Sequence, residues 1–206
     1  MFSSPVLRLL TGSLVLLGCD PGEGPASVRA AEIAGSSAQV RGGPRRGRLL
    51  AGERVARVPR WPAAASIDRA TRERLPADAR AAVERSPVPV LVPAEPGWLS
   101  STRVSPGAWG YALAASDGEV SLALHASRIA TILPGVGVVK GKHRVRGVDG
   151  FLSVNEGIRT ASWIEHGVAY SLDLECRDPD GPACSEAALR AAVEGLVYVG
   201  GIGGGA

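Results

Sequence analysis

The stretch IRTASWIEHGVAYSLDLEC, residues 158–176, decides the fold. Apolar and polar residues alternate strictly after His166-Gly167, and such a period of two is typical of a half-buried β-strand. A two-residue loop at His166-Gly167 predicts a hairpin, because glycine readily adopts the positive φ of a tight turn. The predicted pairs are Trp163 with Tyr170, Ala161 with Leu172, Thr160 with Asp173 and Ser162 with Ser171.

Further turn signals lie on the N-terminal side of this hairpin. Asp117-Gly118 predicts a turn between strands 111–115 and 120–124, with Ala115 opposite Val120 and Leu113 opposite Leu122. Asp149-Gly150 predicts a turn between a strand near 142–148 and the stretch 151–155. Asn155-Glu156-Gly157 predicts the next turn, so consecutive strands form a meander.

A helix follows the last strand. Ser185 is a good N-cap residue, and the apolar positions after it form one stripe that fits a sheet face: Leu189, Ala192, Val193 and Leu196. The sequence therefore predicts an α+β domain over 86–199. We expect a mostly antiparallel β-meander of about 6–7 strands, with the C-terminal helix packed on one face and a Gly-rich tail at 200–206.

The N-terminal third differs in composition. Residues 19–65 are rich in Gly, Ala, Pro, Ser and Arg, and this composition predicts a disordered, flexible, basic tether. Residues 66–85 predict a short helical segment that packs weakly, since it has few large apolar residues. An Arg run at 41–48 lies within the tether, but it lacks interleaved aromatic residues, so we expect no nucleic-acid partner.

The first residues read MFSSPVLRLLTGSLVLLGC. The apolar run is far too short to span a membrane, and it is typical of a secretory signal peptide. Its end, Leu16-Leu17-Gly18-Cys19, resembles the lipobox of bacterial lipoproteins. The resemblance implies a signal peptide at 1–18, a lipidated Cys19 carrying acyl chains such as palmitate, and an envelope location anchored to a membrane lipid. An ordinary signal peptide cleaved near Ala30-Ala31 is the alternative.

The chain has three cysteines. If Cys19 is lipidated, Cys176 and Cys184 remain in an oxidising compartment, and two such cysteines are expected to form a disulfide. Two unpaired thiols or a metal pair are the alternatives, but seven intervening residues are not the spacing of a zinc knuckle. No metal or cofactor is expected.

Motifs of catalysis are missing from the sequence. There is no G-x-S-x-G and no H-E-x-x-H, and Gly135–Lys142 fails the spacing of a phosphate loop, so it predicts a plain connection. A triad of Ser121, His125 and Asp173 has nothing to fix its geometry. Trp163 and Tyr170 either belong to the core or line a groove for a lipid, peptide or glycan.

Residues 142–197 resemble a domain of unknown function found in bacterial lipoproteins and anti-sigma-like membrane proteins. The resemblance lies in Trp163, the following acid and Gly turn, Tyr170 and the closing helix, and it implies an exported, membrane-attached module without catalytic residues. We therefore expect a non-enzymatic binding or sensing module at the cell envelope, with an envelope protein, a peptide or a glycan as partner. A periplasmic lipid-carrier or chaperone-like module and a hydrolase with an unrecognised site are the alternatives.

Overall fold

The computed structural model describes residues 52–203. The helices in these residues are α1 (Arg69–Arg74), α2 (Ala77–Glu84), α3 (Pro96–Leu99) and α4 (Glu186–Glu194). The strands are β1 (Glu53–Ala56), β2 (Val90–Pro93), β3 (Arg103–Gly107), β4 (Gly110–Ser116), β5 (Val120–Ser127), β6 (Ile129–Ile132), β7 (His143–Val145), β8 (Val148–Asn155), β9 (Ile158–Glu165), β10 (Val168–Cys176) and β11 (Leu196–Gly200).

A seven-stranded antiparallel sheet dominates the domain. Its strand order is β3-β4-β5-β10-β9-β8-β7, and two smaller two-stranded sheets pair β1 with β6 and β11 with β2. The predicted α+β class, with a meander and a C-terminal helix, is confirmed.

Three turns of the meander share one design. Each places an ordinary residue and then a glycine at positive φ: Arg146-Gly147, Glu156-Gly157 and His166-Gly167. Both central residues at positive φ define the type I′ hairpin turn, whose twist matches that of the flanking strands. All four predicted pairs of the last hairpin are confirmed, from Trp163 opposite Tyr170 to Thr160 opposite Asp173.

The turn predicted at Asp149-Gly150 is wrong. The chain turns earlier, at Arg146-Gly147, and Gly150 lies inside β8 opposite His143 and Trp163. A Cβ at Gly150 would come within 2.7 Å of both the Ser162 carbonyl oxygen and Val145 Cγ2. Gly150 is therefore required for close strand packing and not for a turn.

The hairpin at Asp117-Gly118 forms in a register shifted by two residues. Leu113 pairs with Leu124 and Ala115 with Leu122. Asp117 stands before the tip of the turn. From there its carboxylate accepts hydrogen bonds from the backbone amides of Glu119 (3.0 Å) and Val120 (2.8 Å), and these bonds stabilise the turn. A shift of two keeps every side chain on its predicted face.

A second layer covers one face of the large sheet. It consists of α2, the β2–β11 pair and α4, and their apolar side chains share one core with the sheet. Two tyrosines of the sheet hold β2 in this layer. The Tyr111 hydroxyl accepts from Leu91 N (2.8 Å), and the Tyr170 hydroxyl donates to the Pro89 carbonyl oxygen (2.9 Å). The core therefore lies between the sheet and this layer.

The folded part is longer at both ends than the sequence predicts. Residues 53–56, inside the predicted tether 19–65, form β1 and pair with β6. The helical segment 66–85 contains α1 and α2, which pack firmly because Leu75 and Val83 are buried. At the other end, the predicted tail 200–206 begins inside β11, where Gly200 pairs with Val90. Residues 1–51, with Cys19, and 204–206 lie outside the described residues.

Candidate functional site

The first candidate site is an open pocket beside α4, which we name the alanine pocket. Its volume is about 390 Å³, within the range of small-ligand sites. It is lined by Pro93, Ala94, Glu95, Trp98, Asp117, Val120, Leu174, Ala183, Ala188, Ala191, Ala192 and Gly195.

The pocket lies along the side of α4 that carries small side chains. Leu189 and Val193 are buried against the core, whereas the neighbouring side of the helix carries small alanines. The start of α4 is held by Ser185, whose side chain accepts from Ala188 N at 3.1 Å. The small side chains leave a gap that Leu or Phe at the same positions would fill.

The predicted disulfide is confirmed. Cys176, at the end of β10, is bonded to Cys184, just before α4, with a Cα–Cα distance of 5.8 Å. Because the bridge joins the sheet to the start of the helix, it fixes one wall of the alanine pocket relative to its floor.

The rim of the alanine pocket is acidic. The indole nitrogen of Trp98 donates to Asp117 Oδ2 at 3.0 Å, and this hydrogen bond, together with that from Val120 N, lowers the pKa of the Asp117 carboxyl. Glu95 is the second carboxylate of the rim, and the residues that line the pocket include no cation. The pocket thus combines an apolar floor with a negative edge.

The second candidate site, which we name the Arg146 cluster, lies at the other end of α4. Arg146 Nε donates to Glu165 Oε2 at 2.9 Å, and its Nη1 donates to the carbonyl oxygens of Val193 (3.2 Å) and Leu196 (2.8 Å). A guanidinium on the last carbonyls of a helix complements the helix dipole. Arg146 therefore joins the β7–β8 turn to the α4–β11 junction.

Tyr198 completes the Arg146 cluster. The Arg146 guanidinium lies 5.5 Å from its ring centroid, and the His166 ring meets it edge-on at 5.3 Å. Within residues 52–203 the buried Tyr198 hydroxyl has no hydrogen-bond partner. Burial raises the pKa of Tyr198, and the nearby charge of Glu165 adds to this. Most of the polar groups here bind one another, so the cluster is suited to holding elements together.

The structure places the predicted groove residues in the core. The rings of Trp163 and Tyr170 stack at 5.4 Å with an interplanar angle of 19°, and the two residues are only 3% and 2% exposed. Neither ring lines a groove, so the groove interpretation of this pair is wrong and the core interpretation holds.

The supposed triad is not assembled. Ser121, His125 and Asp173 share the open face of the sheet, but Ser121 and His125 lie four residues apart on one strand, about 13 Å. Asp173 instead accepts from the Thr160 hydroxyl at 2.6 Å. Among the described residues, no three His, Cys, Asp or Glu side chains are grouped so that they could hold a metal ion.

The sequence interpretation missed the alanine pocket and Arg146. The run of alanines around Leu189 was visible, but only the position of α4 shows that they face a gap. Arg146, Glu156 and His166 each stand directly before a glycine. This repeated pair is a sequence signal that indicates the β7–β8 turn at Arg146-Gly147.

Comparison of the chain with protein-family models, with curated proteins and with solved structures yields no match. In residues 52–203 no helix is both long and apolar enough to cross a membrane. The candidate sites must therefore be interpreted from their own chemistry.

Proposed function

We propose that the protein is an exported, lipid-anchored and non-enzymatic binding module of the cell envelope, and that its alanine pocket takes an apolar peptide segment next to a basic group. The single observation that carries this proposal is the pocket itself, an apolar cavity of about 390 Å³ with a carboxylate rim. The lipobox-like Leu16–Cys19 supports the anchor. The Cys176–Cys184 disulfide supports export, because disulfides persist in oxidising compartments.

The shape and charge of the alanine pocket support this class of ligand. Burying an aliphatic side chain stabilises a complex by about 1.5–3 kcal/mol, and the floor formed by Val120 and Leu174 offers such burial. Asp117 and Glu95 at the rim favour a cationic neighbour and disfavour an anionic one. A Leu- or Ile-sized side chain beside a Lys or Arg fits both features.

The lining of the pocket supports binding over catalysis. Its ionisable side chains are Glu95 and Asp117, and both oxygens of Asp117 already accept hydrogen bonds from Trp98 and from the turn. A hydrolase would place a nucleophile beside a base in such a cavity. No serine, cysteine or histidine is among the residues that line this pocket.

The test uses two probes that share an apolar tail, octylammonium and octanoate. Titration is followed in ¹H–¹⁵N NMR spectra through the Trp98 indole signal and the Ala188 and Ala192 amides. We expect octylammonium to shift these signals and to bind at least about fivefold more tightly than octanoate, and Asp117→Asn to reduce this preference.

Two matched variants locate the binding. Ala191→Phe places a large ring in the alanine pocket and is expected to abolish the shifts. Ala187→Phe puts the same ring on an exposed position of the same helix, outside the lining, and is expected to leave them unchanged. Equal binding of octanoate would instead favour the lipid-carrier alternative, and equal effects of both variants would contradict the pocket as the site.

The anchor has its own test. We expect Cys19→Ser to abolish incorporation of labelled fatty acid and to release the protein from the membrane fraction. Cys176→Ser, which leaves Cys19 in place, is the control and should still be labelled. Labelling that persists in the Cys19→Ser variant would contradict the lipid anchor and leave the pocket proposal untouched.

A further inference from the structure

We propose that residues 131–142, which we name the apolar loop, form a second membrane contact that inserts into the interface of an anionic lipid surface. The proposal takes the location of the protein from the lipid anchor proposed above, but the contact itself depends only on residues of the folded domain. It assigns a partner to a segment that the sequence suggests is a plain connection.

The apolar loop exposes hydrophobic side chains to an unusual degree. All ten residues from Thr131 to Lys140 are exposed, and Val138 and Val139 are 97% and 72% accessible. The large apolar side chains exposed in this stretch are Ile132, Leu133, Val136, Val138 and Val139. Scattered single apolar residues are ordinary on a protein surface, whereas a contiguous group marks an interaction site.

The charge beside these residues selects the kind of partner. No Asp or Glu occurs between Arg128 and Val148, and the only two lysines of the chain, Lys140 and Lys142, lie at the end of the loop. Arg144 follows and is exposed, but it forms an ion pair with Asp149 at 2.9 Å, so Lys140 and Lys142 supply the positive charge of the loop. Apolar side chains flanked by long basic side chains suit the interface of an anionic membrane, where the apolar part enters the acyl boundary and the ammonium groups reach the headgroups.

The apolar loop lies next to the first described residues of the chain. Strand β1 pairs with β6 so that Glu53 lies opposite Ile132. A side chain at Gly52 would collide with Thr131 and Leu133, which shows how close the chain runs to the loop at this point. The described chain therefore begins beside the apolar loop.

A bilayer fits these features better than a folded partner does. The loop contains Pro134, Gly135 and Gly137, and residues 133–142 form neither helix nor strand, so it presents no regular apolar face to a folded partner. A fluid interface needs no such face. Acyl chains on Cys19 would attach the protein to the membrane, and the apolar loop would add a separate contact made by the folded domain.

The test uses the full chain with a single reporter thiol. In the Cys19→Ser variant the remaining cysteines are joined in a disulfide, so Val138→Cys adds the one reactive thiol, which is labelled with the environment-sensitive dye NBD. Vesicles of phosphatidylcholine with 30% phosphatidylglycerol are then added. We expect a blue shift and a several-fold rise in fluorescence as the dye leaves water.

A second labelling position separates immersion from mere adsorption. Val154→Cys carries the same dye on another exposed valine of the domain, and we expect it to show no shift on the same vesicles. Replacing Lys140 and Lys142 by Glu in the Val138→Cys protein should weaken the response by at least about tenfold, since each basic residue contributes about fivefold to binding at an anionic surface.

The outcomes are distinct from those of the anchor test. A dye at position 138 that stays in water while the protein sediments with the vesicles would overturn the proposal. So would equal shifts at positions 138 and 154. Concentration-dependent dimer formation in sedimentation, with no response to vesicles, would also overturn it in favour of a second copy. None of these results requires Cys19 to be acylated.

Discussion

Strand β10 and the apolar loop have comparable hydrophobicity, but the apolar side chains of β10 are buried and those of the loop are exposed. In β10 every second residue from Val168 to Leu174 is buried, whereas in the loop all the residues from 131 to 140 are exposed. The difference is periodicity. Alternation places the apolar residues of β10 on one face of the sheet, while Pro134 and the loop glycines break any regular face. The apolar residues of this loop therefore remain exposed, whereas those of β10 are buried in the core.

The largest expected effect is on the free energy of unfolding, when one apolar residue in each region is replaced by alanine. Leu172→Ala leaves a cavity in the core, because Leu172 is fully buried, and should lower the free energy of unfolding by about 2–5 kcal/mol. Val138→Ala should change it by less than about 0.5 kcal/mol. Urea unfolding of both variants gives the measurement. A similar loss in both would show that the apolar loop belongs to the core.

The same contrast shows how far the sequence predicts the fold. The pairing of β9 with β10 follows from local features, namely strict alternation and a glycine turn, so all four predicted pairs are confirmed. The sequence predicts the turn at Asp149-Gly150 and not at Arg146-Gly147, because Asp-Gly has the stronger turn composition. There the packing of Gly150 between strands decides the outcome, and packing is not visible in a window of sequence.

Long-range contacts explain the remaining differences. The prediction that Leu196 belongs to the C-terminal helix is wrong, since α4 ends at Glu194 and Leu196 begins β11. Strand β11 pairs with β2, about one hundred residues earlier in the chain, and a local sequence pattern does not show such a pairing. The alanine pocket depends on the same arrangement, because it lies between α4, the end of β2 and the sheet. The Cys176–Cys184 bridge can be predicted from the sequence once Cys19 is assigned to the lipid anchor, because two cysteines at a short spacing then remain.

The disulfide at the end of β10 gives the next largest effect. Closing a loop of this length stabilises the fold by about 2.5 kcal/mol on the chain-entropy model. In the Cys19→Ser background we expect reductant to lower Tm by roughly 5–10 °C. The apolar loop should keep its vesicle response under native conditions after reduction. An unchanged Tm would show that the bridge does not hold α4 on the sheet.

The smallest expected effect is on the pH dependence of stability. It comes from an acidic residue of the folded strands, a residue type that the apolar loop lacks. The β4–β5 turn depends on the Asp117 carboxylate, whereas residues 131–142 contain no acid. Hydrogen bonds from Trp98 and Val120 lower the pKa of Asp117, so the stabilisation it provides is complete above the ordinary value near 4 and is lost as the pH falls through the lowered value.

Asp117→Asn tests this dependence. The variant should lose less stability than the native protein between pH 4 and pH 2, with a difference under about 1 kcal/mol because solvent screens this carboxylate. Unfolding in urea at several pH values gives the measurement, and Asp149→Asn, at an exposed ion pair with Arg144, is the matched control. Identical acid profiles for the native protein and the Asp117→Asn variant would contradict the role of this turn.

Hydrogen–deuterium exchange of the full chain in the presence of anionic vesicles compares the two regions most directly. The central claim is that the alternating apolar residues of β10 form the core, whereas those of the apolar loop contact an anionic membrane. We expect peptides covering 131–142 to exchange more slowly on vesicles than in solution, and peptides covering 168–176 to exchange at the same slow rate in both. Exchange over 131–142 that is as fast on vesicles as in solution would contradict the claim.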